Sequence, residues 1–404
     1  MRRSPSRCPA TWIVAGLAAV CGTATVEAGT HVELMLHGRT REATVVAHQS
    51  GVCWIAEPDG TYTTFRSTEI KRFRPLPGPM QAVSTVKMRS QLRREYGSTF
   101  DVQSAGRHVV VADRSIATAC ARRCEEVSRA FRVYFGRRSV KLQSSPFPLP
   151  VVVARSRQEF IDFAATDNVT VDETLRGYYM RTSNRVLLYD APSDVATRPQ
   201  SIDVAWPSSL IVRDRTPAAL FERQLADDDI RRSLSSPGLD STLVHEVVHQ
   251  VAYNTGLHSR TGGSPLWVIE GLAMMLEPDS VRKNLAAAEV TSRINRDRLE
   301  WFARQVRPGW QNGRLAEIVT TDRRFDVAPL DAYSEAWALT FFLSETRGSQ
   351  YAAYLRSQAA RTELHEPTEN ERLAAFRGAF GRDLGKLEVR WLRWMEELNA
   401  AARR

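Results

Sequence analysis

The chain has 404 residues, 43% of them hydrophobic and 25% charged, with a formal net charge of +9. That composition, with 9 Trp, 15 Phe and 10 Tyr, excludes wholesale disorder, and the lack of any fixed period excludes collagen, coiled-coil and repeat architectures. At roughly 100–200 residues per domain, the length predicts two or three domains around a large core.

Residues 1–28 read as a signal peptide. Arg2, Arg3 and Arg7 form a positive n-region, Trp12 to Cys21 is apolar, and Val26-Glu27-Ala28 offers a small-x-small cleavage site. Ala18-Ala19-Val20 before Cys21 lacks the small residue that lipidation wants next to the cysteine. The expected destination is therefore periplasmic, cell-envelope or extracellular. No later window is apolar enough to span a bilayer, so the mature chain is expected to carry no integral membrane segment. Removing three arginines and Glu27 leaves a charge of +7, scattered in short pairs, and no nucleic-acid footprint is expected. Three cysteines remain, Cys53, Cys120 and Cys124. An oxidising compartment permits one disulfide among them, and the sequence leaves the pair open.

Residues 29–75 alternate in short apolar runs broken at His37-Gly38 and Pro58-Asp59-Gly60, the pattern of a small all-β, SH3-like module. Pro75, Pro77, Gly78 and Pro79 begin a stretch, 76–97, that reads as a linker. Residues 98–236 are mixed α/β. Strands are expected at Val109–Val111 and Leu149–Ala154, helices at Ser115–Phe135 and Gln158–Ala165, and a hairpin pairs Gly177–Met180 with Arg185–Tyr189. Residues 191–237, rich in Asp, Arg, Ser and Pro, read as an irregular insert with one short helix. From 237 to 404 the chain is helical. Asp240 or Ser241 caps a helix through Tyr253, Ser264 caps a second with Pro265 at its first position, and further helices are expected at 282–306, 330–346, 349–360 and 383–402. Leu387, Trp391, Trp394 and Leu398 form one apolar stripe on the last, which is a core-packing pattern.

His245-Glu246-Val247-Val248-His249 is the sharpest chemical signal. Residues four apart share a helix face, so His245 and His249 can present two imidazoles to one ion, with Glu246 beside them to accept a proton from water. A plain alternative is a core helix whose histidines bond locally. Catalytic zinc takes three protein ligands and one open position. Glu270 lies among Val268, Ile269, Leu272 and Ala273, where a carboxylate is costly to bury without a cation. An antiparallel helix pair would carry it to both histidines.

His-Glu-x-x-His followed by Trp267-x-x-Glu270-Gly271-x-Ala273 resembles the gluzincin-type zinc metallopeptidases of the MA-like superfamily. More narrowly, the stretch His245 to His258, the Gly-Tyr-Tyr and Asn-Arg-Val-Leu-Leu-Tyr-Asp hairpin and the later Tyr333-Ser-Glu-Ala-Trp-Ala helix are similar to an uncharacterised group of secreted bacterial proteins in it. The likeness covers roughly residues 80–400. It implies an α+β fold with a mixed-sheet lobe (98–236) and a helical zinc-binding lobe (237–404). It further implies one zinc held by His245, His249 and Glu270, Glu246 as general base and acid, and a peptide or protein substrate. Related enzymes take an oxyanion donor from a later helix, where Tyr333 stands. One departure is plain. The acidic residue that often orients the first histidine, one turn after the glutamate ligand, is Met274 here, and Glu277 is the nearest substitute. The rival expectation is a non-catalytic envelope or extracellular binding protein that keeps the same fold; an intact Glu246 favours the enzyme, because a scaffold needs no base.

Overall fold

Along His31–Leu36 (β1), Val32, Leu34 and Leu36 are buried and alternate with the half-buried His31, Glu33 and Met35, the two-residue period of a strand with one face on a core. The computed structural model describes residues 28–172, 175–189, 239–283, 289–361 and 366–403. The signal-peptide reading, apart from Ala28, and the 191–237 insert lie outside them. The chain divides into two units, Met1–Val83 and Ser84–Arg404.

In the first unit β1 is joined by β2 (Arg39–Gln49), β3 (Val52–Ala56), β4 (Tyr62–Arg66) and β5 (Ile70–Pro75) in one antiparallel sheet of order β4-β3-β2-β1-β5. The β1–β2 turn places His37 and Gly38 at φ +49° and +76°, the left-handed pair of a tight hairpin turn whose twist matches its strands. Leu34, Val45, Cys53, Ile55, Phe65 and Phe73 belong to its own apolar core. The arrangement is compatible with the expected small all-β module.

The second unit begins with a correction. Thr85–Tyr96 forms a helix, α1, inside the stretch read as a linker; Ser84 accepts from Lys87 N to cap it and Gly97 ends it. Prolines 75–79 drew the reading too far, since helix formers resume at Val86. Next come β6 (Asp101–Ala105), β7 (His108–Ala112), α2 (Ala117–Arg137), β8 (Leu149–Ala154), α3 (Arg157–Thr166), β9 (Gly177–Met180) and β10 (Arg185–Tyr189). The sheet is mixed, in the order β6-β7-β8-β10-β9. Its centre is parallel, β7 to β8 to β10, and both edge strands are antiparallel. Strands β7 and β8 are buried at every residue, as expected where helices cover both faces.

The remainder is helical: α4 (Leu239–Asn254), α5 (Leu266–Leu276), α6 (Asp279–Lys283), α7 (Arg296–Trp301), α8 (Arg314–Thr320), α9 (Arg323–Val327), α10 (Pro329–Thr346), α11 (Gly348–Ala359), α12 (Glu369–Phe380) and α13 (Leu384–Ala402). The single helix expected over 282–306 is broken instead. A 3-10 turn at Val290–Arg293 gives way to α7, whose N-cap Asn295 accepts from Arg298 N, and a π turn follows at Phe302–Val306. Helix α12 was not expected, although its Thr368/Glu371 capping box is a local start signal. The fold class is α+β, with two sheets and a helical C-terminal region. Cys53, Cys120 and Cys124 are all buried free thiols, so the permitted disulfide is not formed. No helix among the described residues is long and apolar enough to cross a membrane.

Candidate metal centre

Helix α4 is buried at every position from Thr242 to Asn254. A helix buried all round hides its polar side chains as well, and the two amides among them then need partners. Gln250 Nε2 donates to the carbonyls of Pro150 and Asn184, each at 2.9 Å, and Asn254 Nδ2 donates to Asn184 Oδ1 at 2.7 Å. These bonds fix the helix against the start of β8 and the turn before β10. Edge strand β9 approaches α4 closely. A Cβ on Gly177 would lie 2.9 Å from Thr242 Cγ2 and 2.8 Å from Leu188 Cβ, so only glycine lets the strand come this near. Tyr179 then stacks on Tyr253 at 5.7 Å.

Helix α5 is positioned differently from the sequence expectation. Ser264 does not cap it. Pro265 is the N-cap residue, and the first amide, Leu266 N, donates to Asp322 Oδ1 at 3.0 Å, while Asp322 Oδ2 holds Arg372 at 2.7 Å. The cap comes from 56 residues away, which no local pattern reveals. Gly271 has a packing role: a Cβ there would lie 2.5 Å from the Ala336 carbonyl oxygen and 2.2 Å from Thr340 Oγ1. The glycine of the Glu-Gly pair therefore lets α5 lie against α10.

Together these contacts converge three donors. His245 Nε2 lies 3.0 Å from His249 Nε2 and 3.2 Å from Glu270 Oε2, and His249 Nε2 lies 3.8 Å from the same oxygen. Ligands at ~2.1 Å from a tetrahedral ion stand about 3.4 Å apart, so the three separations bracket the required value. All three side chains are at most 2% exposed. Two imidazole nitrogens facing each other share one proton between them, and a buried carboxylate completes a donor set that one divalent cation satisfies at once. The residues fit a metal site.

Glu277 supplies what Met274 lacks. Its Oε1 lies 2.7 Å from His245 Nδ1, and its Oε2 accepts from Asn295 Nδ2 at 2.9 Å. Asn295 also donates to the Met274 carbonyl at 3.1 Å. The orienting acid thus stands two turns past Glu270 and is itself held in place, while Met274 is buried among apolar side chains. Burial works to lower the His245 pKa, but hydrogen bonds to Glu270 and Glu277 outweigh it and raise it to about 10. Burial drives His249 well below the usual histidine value, assisted by the His245 charge. For Glu277 burial works upward, yet the bond to His245 and the Arg298 charge bring the carboxyl below its usual range.

Glu246 is fully buried beside the two histidines, and burial raises its carboxyl to about 8 against the pull of His245 and the nearby Tyr179 N–H. Neither of its oxygens has a hydrogen bond of ordinary geometry. Tyr333 is placed on α10, its ring edge-on to Phe325 at 5.3 Å and 5.7 Å from the Arg298 guanidinium. The Arg298 charge also acts on Glu277. His245, His249 and Glu270 are thus brought together with Glu246, and Tyr333 is set in the adjoining helix packing.

A family described as "Protein of unknown function (DUF1570)" matches residues 240–365. That stretch contains every residue of the centre, from His245 to Asn295, and Tyr333. No curated protein matches the sequence.

Proposed function

We propose that the chain is an exported, zinc-dependent metallopeptidase of gluzincin-like fold, with His245, His249 and Glu270 holding one zinc ion and Glu246 as general base and acid. The observation that carries the reading is Glu246: a buried carboxylate whose oxygens accept no hydrogen bond of ordinary geometry, next to three convergent metal-type donors. Zinc bound there would supply Lewis acidity, polarising a carbonyl and making water a stronger acid. A cation at that place also favours the ionised form of Glu246. The carboxylate then takes a proton from water and delivers it to the nitrogen of the departing amine. Tyr333 is the proposed hydroxyl donor to the developing oxyanion.

The hairpin supports a peptide substrate. Strand β9 is the sheet's edge, and its Tyr179 N–H lies near Glu246. An extended peptide laid along β9 would gain main-chain hydrogen bonds irrespective of its sequence and bring a carbonyl to the metal. Metal analysis of the purified protein with a peptide-library cleavage assay tests the reading. One zinc per chain, and cleavage that a chelator abolishes and zinc restores, is the expected result. Absence of bound zinc, or zinc binding without cleavage of any peptide, would replace the peptidase with the binding protein.

A further inference from the structure

On the opposite face of the mixed sheet two arginines share one tyrosine. Phe160 of α3 packs on Tyr178 and Tyr189 at 6.1 and 5.1 Å, whereas Tyr179, one residue along β9, faces α4. Arg176, just before β9, accepts from Tyr189 N through its carbonyl at 3.2 Å and sets its guanidinium 5.3 Å from the Tyr189 ring centroid. Arg157 reaches the same ring from its hydroxyl end, with Nη1 3.5 Å from Tyr189 Oη, and its Nη2 donates to the Asp172 carbonyl at 2.7 Å.

Arg176 is 4% exposed, its Nε has no acceptor, and among the described residues no carboxylate pairs with it. Burial lowers its pKa, and among the described residues the charge that adds to this is that of Arg157, another cation. The nearby Asp172 carboxylate is engaged by Leu175 N at 2.9 Å. A buried guanidinium with a like charge beside it and no counter-ion among the described residues is unfavourable as it stands. The place is also suggestive. Arg157 is the first residue of α3, which follows the carboxyl end of β8, and β8 runs parallel to β10. Anionic ligands of α/β sheets settle outside the carboxyl ends of such strands, against helix N-terminal amides.

We propose that Arg157 and Arg176 form a binding site for a small phosphate-type dianion, separate from the metal centre and on the other face of the sheet. Two guanidinium groups carry a charge of two, which a dianion balances and a single carboxylate does not. The site is independent of the peptidase reading, so it is expected to work equally in protein stripped of metal.

Thermal melting of the full-length protein, with and without chelator, in inorganic phosphate, sulfate or acetate at constant ionic strength is the test. Phosphate and sulfate should raise the melting temperature saturably, and acetate should not. Arg176→Gln and Arg157→Gln should each weaken phosphate affinity at least tenfold, by the loss of one charged fork. Without any dianion, Arg176→Met should melt at or above the wild-type temperature, because it removes an unpaired buried charge. A lower melting temperature for Arg176→Met in dianion-free buffer, or its failure to fold, would mean that the guanidinium is already satisfied within this chain and overturn the proposal. So would a wild-type protein that phosphate does not stabilise, or Gln variants that bind phosphate as wild type does.

Discussion

Glu388 and Glu246 are both carboxylates buried in helices, and their surroundings are opposite. Glu388 on α13 accepts from Trp310 Nε1 and Leu315 N, each at 3.0 Å, with one oxygen, and from Gly313 N at 2.9 Å with the other. It thereby caps α8 and ties the last helix to it. Glu246 is fully buried and accepts no hydrogen bond of ordinary geometry. A carboxylate that holds a fold together is saturated with donors, and the protein gains from its burial. One whose lone pairs are left open costs stability where it sits, which is tolerated where the pairs are needed for chemistry.

The contrast can be broken from either side. The largest effect is expected at Glu246: Glu246→Gln should lower peptide hydrolysis by at least ~10²–10⁴ while zinc content and melting temperature stay as in the wild type. Steady-state kinetics beside metal analysis checks this, and loss of zinc in the variant would make Glu246 structural. Glu388→Leu should do the reverse. It strands three donors and should cost about 2–4 kcal/mol in denaturant unfolding, with zinc affinity unchanged.

A pH experiment sharpens the metal side. Despite burial, the bonds to Glu270 and Glu277 raise His245 to about 10, so the metal-free protein carries that proton at pH 7. Zinc has to displace it. Binding should release at least one proton, and apparent affinity should fall about tenfold for each unit of acidification. Calorimetry in buffers of different ionisation enthalpy measures the release, and none would mean His245 is not a ligand. Glu277→Ala, which removes the acid from His245 Nδ1, should weaken zinc binding by roughly 10–100-fold. Last, Gly271→Ala pushes a methyl into the Ala336 carbonyl and should cost about 1–3 kcal/mol of stability.

The parts of this molecule legible in its sequence are those written at short range. His245 and His249 were readable because a helix turn brings residues four apart together, and the β9–β10 hairpin because its turn is local. Glu270 was readable from its apolar neighbours. What escaped lies at long range. The Asp322 cap on Leu266 spans 56 residues, and Ser264-Pro265 mimics a start signal that the helix does not use. Glu277 was seen only as a substitute, because the Asn295 amide that holds it beside His245 caps another helix. The break at Asn295 was missed since apolar spacing continues through it, and α1 because nearby prolines outweighed the helix formers after them. The proposed part of Tyr333 rests on the resemblance, as its visible contacts are those of packing.

The Asp322–Arg372 bond has a consequence for where this chain can be cut. The family match ends at residue 365, yet the start of the helix that carries Glu270 is held by Asp322, and Asp322 is gripped by Arg372 beyond that end. At the other end, Gln250 needs the carbonyls of Pro150 and Asn184, which precede the match. In this chain the matched stretch 240–365 is therefore held in shape by residues on both sides of it. A gene fragment cut to those limits would encode every ligand and lack the struts that bring them together.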